Sequence, residues 1–178
     1  MSTSGSFIKP NSREFIELIA MNMRHFFEKY NLLPKDSRAL DINTLNGMIE
    51  AVGGKLIKSI DNKTYIEKTD EDAFTIYYAE IGEYGVFPYM SILHELGHAA
   101  LHLKEMEIGK TLDCNGKDLR HDEAWLFARA LAMPRKNFEK VAIEHLKNGC
   151  YDIMGIIRVY NEGHFQIRLR GKELNIWG

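Results

Sequence analysis

The stretch His94-Glu95-Leu96-Gly97-His98 decides the fold and the chemistry of this chain of 178 residues. On an α-helix, residues four apart lie on the same face, one above the other. Two imidazoles at that spacing can point at one metal ion, and Glu95 is placed to accept a proton from water at that ion. The pattern therefore predicts a zinc hydrolase, with His94 and His98 as metal ligands and Glu95 as the general base.

The residues around the motif support this prediction because they make the segment apolar almost all round. Seven of them carry this character: Ile92, Leu93, Leu96, Ala99, Ala100, Leu101 and Leu103. A helix that is apolar on every side is buried in the protein. Buried histidines and a buried glutamate need partners or a metal, because an unpaired buried charge is costly. The flanks thus favour a metal site over a core helix with hydrogen-bonded histidines.

His102 follows His98 by a further four residues, but we do not expect it to bind the same ion. Three residues at i, i+4 and i+8 span about 12 Å along a helix, whereas zinc bonds are about 2 Å long. His102 is expected to support the ligands or the helix instead. The metzincin pattern is excluded, because Leu101 and Lys104 stand where it requires glycine and histidine.

A catalytic zinc site usually takes three protein ligands, so the third is expected from a separate element. Residues 119–132 predict a helix that ends before Pro134. Glu123 lies on the same stripe of this helix as three apolar residues: Phe127, Ala130 and Leu131. A carboxylate at the head of an apolar stripe needs a partner, which favours Glu123 as the ligand. Four alternatives remain open: His121, Asp122, Glu105 and Glu107.

Two segments together resemble the ImmA/IrrE family of zinc metallopeptidases. The family typically shows H-E-hydrophobic-G-H-x-x-L-H, followed by E-A-x-x-F-A-x-x-L-x-M-P. Here the first block is the run from His94 to His102 and the second runs from Glu123 to Pro134, in the same order and spacing. The resemblance covers roughly residues 75–170. It implies one zinc ion per chain held by His94, His98 and Glu123, with Glu95 as the catalytic base.

The same resemblance implies a fold and a substrate. The fold is an α+β zincin-like domain of the gluzincin type, with a small, mostly antiparallel sheet followed by the active-site helix and a helical C-terminal part. The substrate is a specific protein, namely a helix-turn-helix transcriptional repressor of a phage, mobile element or stress operon, which an endopeptidase would cleave. The alternative is a non-cleaving zincin-fold module that relieves repression by binding a DNA-binding regulator. A general peptidase is a third possibility.

Peptide hydrolysis also needs a donor that stabilises the oxyanion. We expect His164 to be this second catalytic residue. Four alternatives are Tyr84, Tyr89, His121 and Arg168. The stretch 160–169 resembles a short helical element of the family, although a Val-Ser pair usually stands near Gly163-His164.

The pattern of apolar residues predicts a flexible segment at 1–10 and one domain at 11–178. Within that domain we expect helices at 12–52, the first with Ser12 as its N-cap, a small sheet at 54–80, catalytic helices at 89–132 and a helical part at 135–178. The last part should hold helices at 135–147, 151–161 and 164–170. Phe74–Tyr78 is expected to be the exposed sheet edge along which an extended peptide binds.

Composition narrows the class of protein further. The net charge of −2 gives no electrostatic case for direct nucleic-acid binding. Only two cysteines occur, which fits a reducing, cytoplasmic environment better than a secreted disulfide scaffold. The N-terminus lacks the basic start and apolar stretch of a signal peptide, and no apolar run approaches the roughly 20 residues of a membrane span.

Overall fold

The structure is a computed structural model, and it describes residues 12–35, 40–81, 89–112 and 118–177. These residues form seven α-helices and five β-strands, so the predicted α+β, zincin-like fold class is confirmed. The prediction of a flexible segment at 1–10 and the candidate Tyr84 lie outside the described residues. In chain order the elements are α1 (Arg13–Lys29), α2 (Ile42–Glu50), β1 (Gly54–Lys58), β2 (Tyr65–Lys68), β3 (Phe74–Tyr78), α3 (Tyr89–His102), α4 (Leu119–Ala132), α5 (Arg135–Glu144), β4 (Leu146–Lys147), β5 (Cys150–Tyr151), α6 (Ile153–Tyr160) and α7 (His164–Glu173).

Side-chain caps set the beginnings of several helices. The hydroxyl of Ser12 accepts a hydrogen bond from the Phe15 N–H at 3.2 Å, so this predicted N-cap of α1 is confirmed. Asp118 caps α4 in the same way by accepting from the Arg120 N–H at 3.0 Å. Each bond satisfies one of the N–H groups that a helix leaves without an internal partner. α4 ends at Ala132, and Pro134 stops it as predicted and caps the start of α5.

The three-stranded sheet has the order β1-β3-β2, with β1 parallel and β2 antiparallel to β3. The sheet is therefore mixed rather than mostly antiparallel. Because β3 lies in the centre and pairs on both sides, the prediction that Phe74–Tyr78 forms an exposed edge is wrong. β1 and β2 are the outer strands. Part of the outer side of β2 is also paired: the Lys68 N–H donates to the Lys110 carbonyl at 3.2 Å, and the Gly109 N–H donates to the Lys68 carbonyl at 2.8 Å.

A short hairpin interrupts the C-terminal helices. The expected helix at 135–147 ends at Glu144, and β4 then pairs with β5. The turn between them consists of Asn148 and Gly149, with φ angles of 51° and 78°. Asn-Gly is the preferred pair for a two-residue hairpin turn, because both positions need a positive φ. This dipeptide was the signal that would have predicted the hairpin.

α3 packs against β2, β3 and α4, and this packing positions the motif. At Gly97, a Cβ atom would stand 2.8 Å from the Ala124 carbonyl oxygen of α4. Only glycine permits the two helices to approach this closely, because the neighbour is backbone and cannot rotate away. Among the described residues, no helix combines the length and apolar character needed to cross a membrane.

Arg170 connects the C-terminal helix α7 to the rest of the core. Its side chain is 1% exposed. The guanidinium donates to the Met133 carbonyl at 2.9 Å, to Glu17 at 3.0 Å and to Glu173 at 3.2 Å. A buried guanidinium needs such a complete set of acceptors, because an unpaired charge would strongly destabilise the fold. Arg170 therefore holds together α7, α1 and the end of α4.

Candidate metal centre

The polar side chains of the motif are buried within α3. His94 is 4% exposed, Glu95 9%, His98 2% and His102 1%. The apolar residues around them pack into the hydrophobic core, as the composition of the segment predicted. Buried imidazoles and a buried carboxyl have lost their water partners, so they must satisfy each other or an ion.

His94 and His98 direct the same ring nitrogen to one point. Their Nε2 atoms are 3.2 Å apart, and the two rings are nearly perpendicular, at 82°. Two nitrogens bound to one tetrahedral zinc ion at about 2.0–2.1 Å would lie about 3.3 Å apart. The spacing of the two motif histidines therefore fits a shared ion without any change in their positions.

His121, from the first turn of α4, completes the cluster. One nitrogen from each of His94, His98 and His121 lies within 4.8 Å of the other two. The centroid of the His121 ring is 4.5 Å from that of His94. Sequence reasoning treated His121 as an alternative and favoured Glu123. A sequence signal in favour of His121 is its spacing of four from Trp125, which puts both residues on one helix face.

Glu123 occupies a different position. Its Oε2 atom is 2.9 Å from Nε2 of His102, and Nδ1 of His102 is 3.1 Å from Nδ1 of His98. Glu123 thus contacts the histidine cluster through His102, and the cluster of metal-binding side chains in the described part of the chain does not include it. Its role as a metal ligand remains a prediction from the resemblance.

Trp125 forms one wall of the cluster. Its ring stacks on His94 with centroids 4.4 Å apart and an angle of 27°. Its indole N–H donates to Nε2 of His121 at 3.1 Å. The residue therefore fixes the orientation of two of the three imidazoles.

Burial keeps two of the imidazoles neutral. It lowers the pKa of His94 to about 2, and the neighbouring histidines add to the effect. Burial also lowers the pKa of His98 to about 3, again with a contribution from His102 and His121. A neutral imidazole offers the lone pair that a metal ion requires. The buried Nδ1 atoms of His94 and His121 have no hydrogen-bond partner among the described residues. This donor set is chemically suited to a divalent metal ion.

Glu95 is strongly affected by its surroundings. Burial raises its pKa to about 8, and a hydrogen bond from the Ile66 backbone of β2 opposes that shift. A carboxyl group with a pKa near neutrality can both accept and release a proton, as a general base and acid must. A cation held by the histidine cluster would lower the pKa of Glu95, because positive charge favours the carboxylate.

The remaining candidates lie elsewhere. His164 is the exposed first residue of α7, and the cluster of metal-binding side chains in the described residues does not include it. The hydroxyl of Tyr89 is buried and donates to the Tyr160 carbonyl at 2.9 Å. Arg168 is exposed on α7. The catalytic role of His164 stays a prediction.

Comparison with known proteins assigns the same region to a family. The Peptidase_M78 family, described as an IrrE N-terminal-like domain, matches residues 90–148. This range includes α4 and all but the first residue of α3, and hence every side chain of the histidine cluster. No match was found among curated proteins or among solved structures.

Proposed function

We propose that this chain, a member of the ImmA/IrrE family of metallopeptidases, is a zinc-dependent endopeptidase that cleaves a specific protein. The observation that carries the proposal is the 3.2 Å separation of the His94 and His98 Nε2 atoms beside a buried Glu95. Family membership supports peptidase chemistry. The resemblance favours a helix-turn-helix repressor as the substrate.

In this proposal His94, His98 and His121 hold the metal ion. Three imidazole nitrogen donors in a largely buried site suit zinc, which prefers nitrogen and sulfur ligands in tetrahedral geometry. A bound zinc ion supplies Lewis acidity that polarises the scissile carbonyl and lowers the pKa of water. The ring of Trp125 stacks on His94 and keeps this imidazole in place.

Glu95 moves the proton. It accepts a proton from the attacking water as the water oxygen bonds to the carbonyl carbon of the peptide. It then gives this proton to the amide nitrogen, and the carbon–nitrogen bond breaks to release a carboxylate and an amine.

We infer that the substrate backbone runs along the outer side of β2, since the backbone of Ile66 in this strand lies beside Glu95. An extended peptide can add to such a strand through main-chain hydrogen bonds. The far end of β2 is paired, Glu67 with Thr111 and Lys68 with Gly109 and Lys110, so the substrate must use the end of the strand near Tyr65.

The decisive experiment compares zinc-loaded wild type with Glu95→Gln. Each protein is co-expressed with the DNA-binding regulator encoded beside it, and fragments of the regulator are identified by mass spectrometry. We expect cleavage by the wild type and a loss of about 10²- to 10⁴-fold in Glu95→Gln, with zinc retained. The matched control is Glu71→Gln, which changes an exposed carboxylate in the turn before β3 and should cleave normally.

Two results would overturn the proposal. Equal cleavage by wild type and Glu95→Gln would show that Glu95 is not the general base. An intact regulator recovered in a stable complex would instead support the non-cleaving binding module.

Zinc content tests the ligand set separately. His94→Ala, His98→Ala and His121→Ala should each lose most of the bound zinc, as measured by elemental analysis after dialysis. Retention of zinc by His121→Ala would show that the third ligand is another residue.

A further inference from the structure

We propose that Tyr65 and Tyr77 form a subsite that selects protein substrates by a large apolar side chain, aromatic or branched, at the substrate position opposite Tyr65. The inference rests on the proposed function, because it uses the substrate path along the outer side of β2. It concerns the face of the sheet that is turned away from α3.

The register of the sheet brings the two tyrosines together on that face. Ile66 and Ile76 lie opposite each other and are fully buried where β2 and β3 pack against α3. Successive side chains of a strand point to opposite faces, so Tyr65 and Tyr77 point away from α3. Their rings stack with centroids 4.8 Å apart and an angle of 19°. The register places Ile57 of β1 beside Tyr77, and these three residues, Ile57, Tyr77 and Tyr65, are called the tyrosine row below.

The tyrosine row is apolar and accessible. Its two tyrosines are half-buried, and Ile57 is 44% exposed. Two further exposed isoleucines follow β1 and β3 at the same end of the sheet, namely Ile60 and Ile81. Such a surface favours an apolar partner, because burial of apolar area drives association whereas desolvation of a charge opposes it.

The neighbouring row shows what a fourth strand does at this edge. Lys55, Thr75 and Glu67 lie side by side in the same register, and Thr111 pairs with Glu67 as the fourth member. The tyrosine row has three members, and within the described part of the chain no residue pairs with Tyr65 on the outer side of β2. A substrate strand that adds there places one side chain opposite Tyr65, on the same face as its ring.

This subsite lies next to the reacting bond. The backbone of Ile66 lies beside Glu95, so the substrate residue that faces Ile66 is the one nearest the general base. A strand advances about 3.3 Å per residue, and the residue opposite Tyr65 is the next one along. The selected side chain therefore stands within about two residues of the cleaved bond.

The two tyrosines have different roles in the subsite. The ring of Tyr65, at the edge, touches the substrate side chain, since directly opposite side chains of neighbouring strands are in contact. Tyr77 holds this ring by stacking on it. Because Tyr65 is already ordered before the substrate arrives, little side-chain freedom is lost on binding.

The test begins with binding rather than cleavage. A display library of random linear peptides is selected on zinc-loaded Glu95→Gln, and we expect the selected peptides to share one large apolar residue. Addition of Tyr65→Ser should weaken their binding about 5- to 30-fold, whereas Tyr65→Phe should retain it because the ring is kept. The matched control is Tyr30→Ser, which removes a 57% exposed tyrosine just after α1 and should leave binding unchanged.

A double-mutant cycle separates direct contact from a structural role of Tyr65. Serine in place of the shared apolar residue of the peptide should weaken binding to Glu95→Gln by a similar factor, without any change in the protein. The same peptide change should have little further effect once Tyr65→Ser is present. Additive losses would overturn the proposal.

The selection itself can also contradict the subsite. A library that yields no peptide dependent on Tyr65 would overturn it. So would selected peptides that share a basic residue, because the carboxylate of Glu67, beside Tyr77, would then be the group that selects.

Cleavage of the selected peptides by zinc-loaded wild type tests the proposed function separately. Mass spectrometry should locate the cut within about two residues of the shared apolar residue. Peptides that bind through Tyr65 but stay intact would support the subsite and contradict the endopeptidase. Cuts at positions unrelated to the apolar residue would support the endopeptidase and overturn the subsite.

Discussion

The indole N–H of Trp125 donates to Nε2 of His121 at 3.1 Å, and this bond occupies the only lone pair of a neutral imidazole. A metal ion that bound His121 through Nε2 would therefore have to displace Trp125. Because Trp125 and the metal ion compete for this lone pair, removal of the indole N–H should change the affinity for zinc, which a titration can measure.

Trp125→Phe should raise zinc affinity by about 2- to 10-fold, since one neutral hydrogen bond contributes about 0.5–1.5 kcal/mol. Phenylalanine retains an aromatic face against His94. The measurement is a zinc titration against a chelator. In a Trp177→Phe background, zinc should also change the fluorescence of the remaining Trp125. Unchanged affinity would show that His121 does not bind through Nε2.

Gly97→Ala should push α3 away from α4, because the new Cβ would stand 2.8 Å from the Ala124 carbonyl oxygen. We expect unfolding to become easier by about 1–3 kcal/mol, as in other overpacked cores. Zinc affinity should fall as well, because His121 would move away from His98. Urea denaturation and zinc titration are the measurements.

Gly47→Ala provides the matched control for Gly97→Ala. Gly47 also lies inside a helix, but its added Cβ would meet only Leu32, at an ordinary 3.8 Å. Alanine should stabilise α2 by up to about 1 kcal/mol. Equal effects of the two substitutions would contradict the close helix contact at Gly97.

Arg170→Met should lower the free energy of unfolding by about 1–3 kcal/mol, because it removes buried hydrogen bonds to two carboxylates that keep Arg13 and Arg129 as their remaining cations. These carboxylates belong to Glu17 and Glu173. Arg168→Met, which alters an exposed arginine on the same helix, should change stability by less than about 0.5 kcal/mol. A small effect at both positions would show that the network around Arg170 contributes little.

The stability of the metal-free protein should depend on pH in two opposite ways. The folded-state pKa values of His94 and His98, about 2 and 3, lie below the ordinary 6.5, so the unfolded chain binds more protons and stability rises with pH up to 6.5. The pKa of Glu95 is raised from 4.5 to about 8, so the folded chain binds more protons and stability falls with pH between these values.

Above pH 6.5, His94 and His98 no longer make the stability depend on pH, and of these three residues only Glu95 does. We expect the free energy of unfolding to fall by about 2 kcal/mol between pH 6.5 and 8. Glu95→Gln should remove most of this decline. Chemical denaturation at several pH values in the presence of a chelator is the measurement, and an identical decline in the variant would count against a buried, protonated Glu95.

Local features of this fold were predictable from sequence. Ser12 capped α1 and Pro134 ended α4 as expected, because caps and proline act within a few residues. The spacing of His94 and His98 fixed their common face for the same reason. The order of the strands was not predictable, since β3 inserts between two strands that precede it in the chain.

Which of His121 and Glu123 lies nearer to His94 and His98 depends on tertiary structure. Helix periodicity places Glu123 on the apolar stripe with Phe127 and Leu131, but it does not show how α4 is turned toward α3. The rotation of α4 against α3 decides which flank faces the motif, and the contact between Gly97 and Ala124 helps to set that rotation. Such a contact joins two helices that are far apart in sequence, and no local pattern encodes it.

The pairing of Lys68 with Gly109 and Lys110 also affects how this protein behaves among other proteins. An unpaired outer strand is a template on which a second chain can add and begin aggregation. Here the chain caps half of its own β2, and no long free edge remains on that side of the sheet. Unrelated chains therefore have little free strand to pair with beside Glu95, and only a short extended segment can bind there.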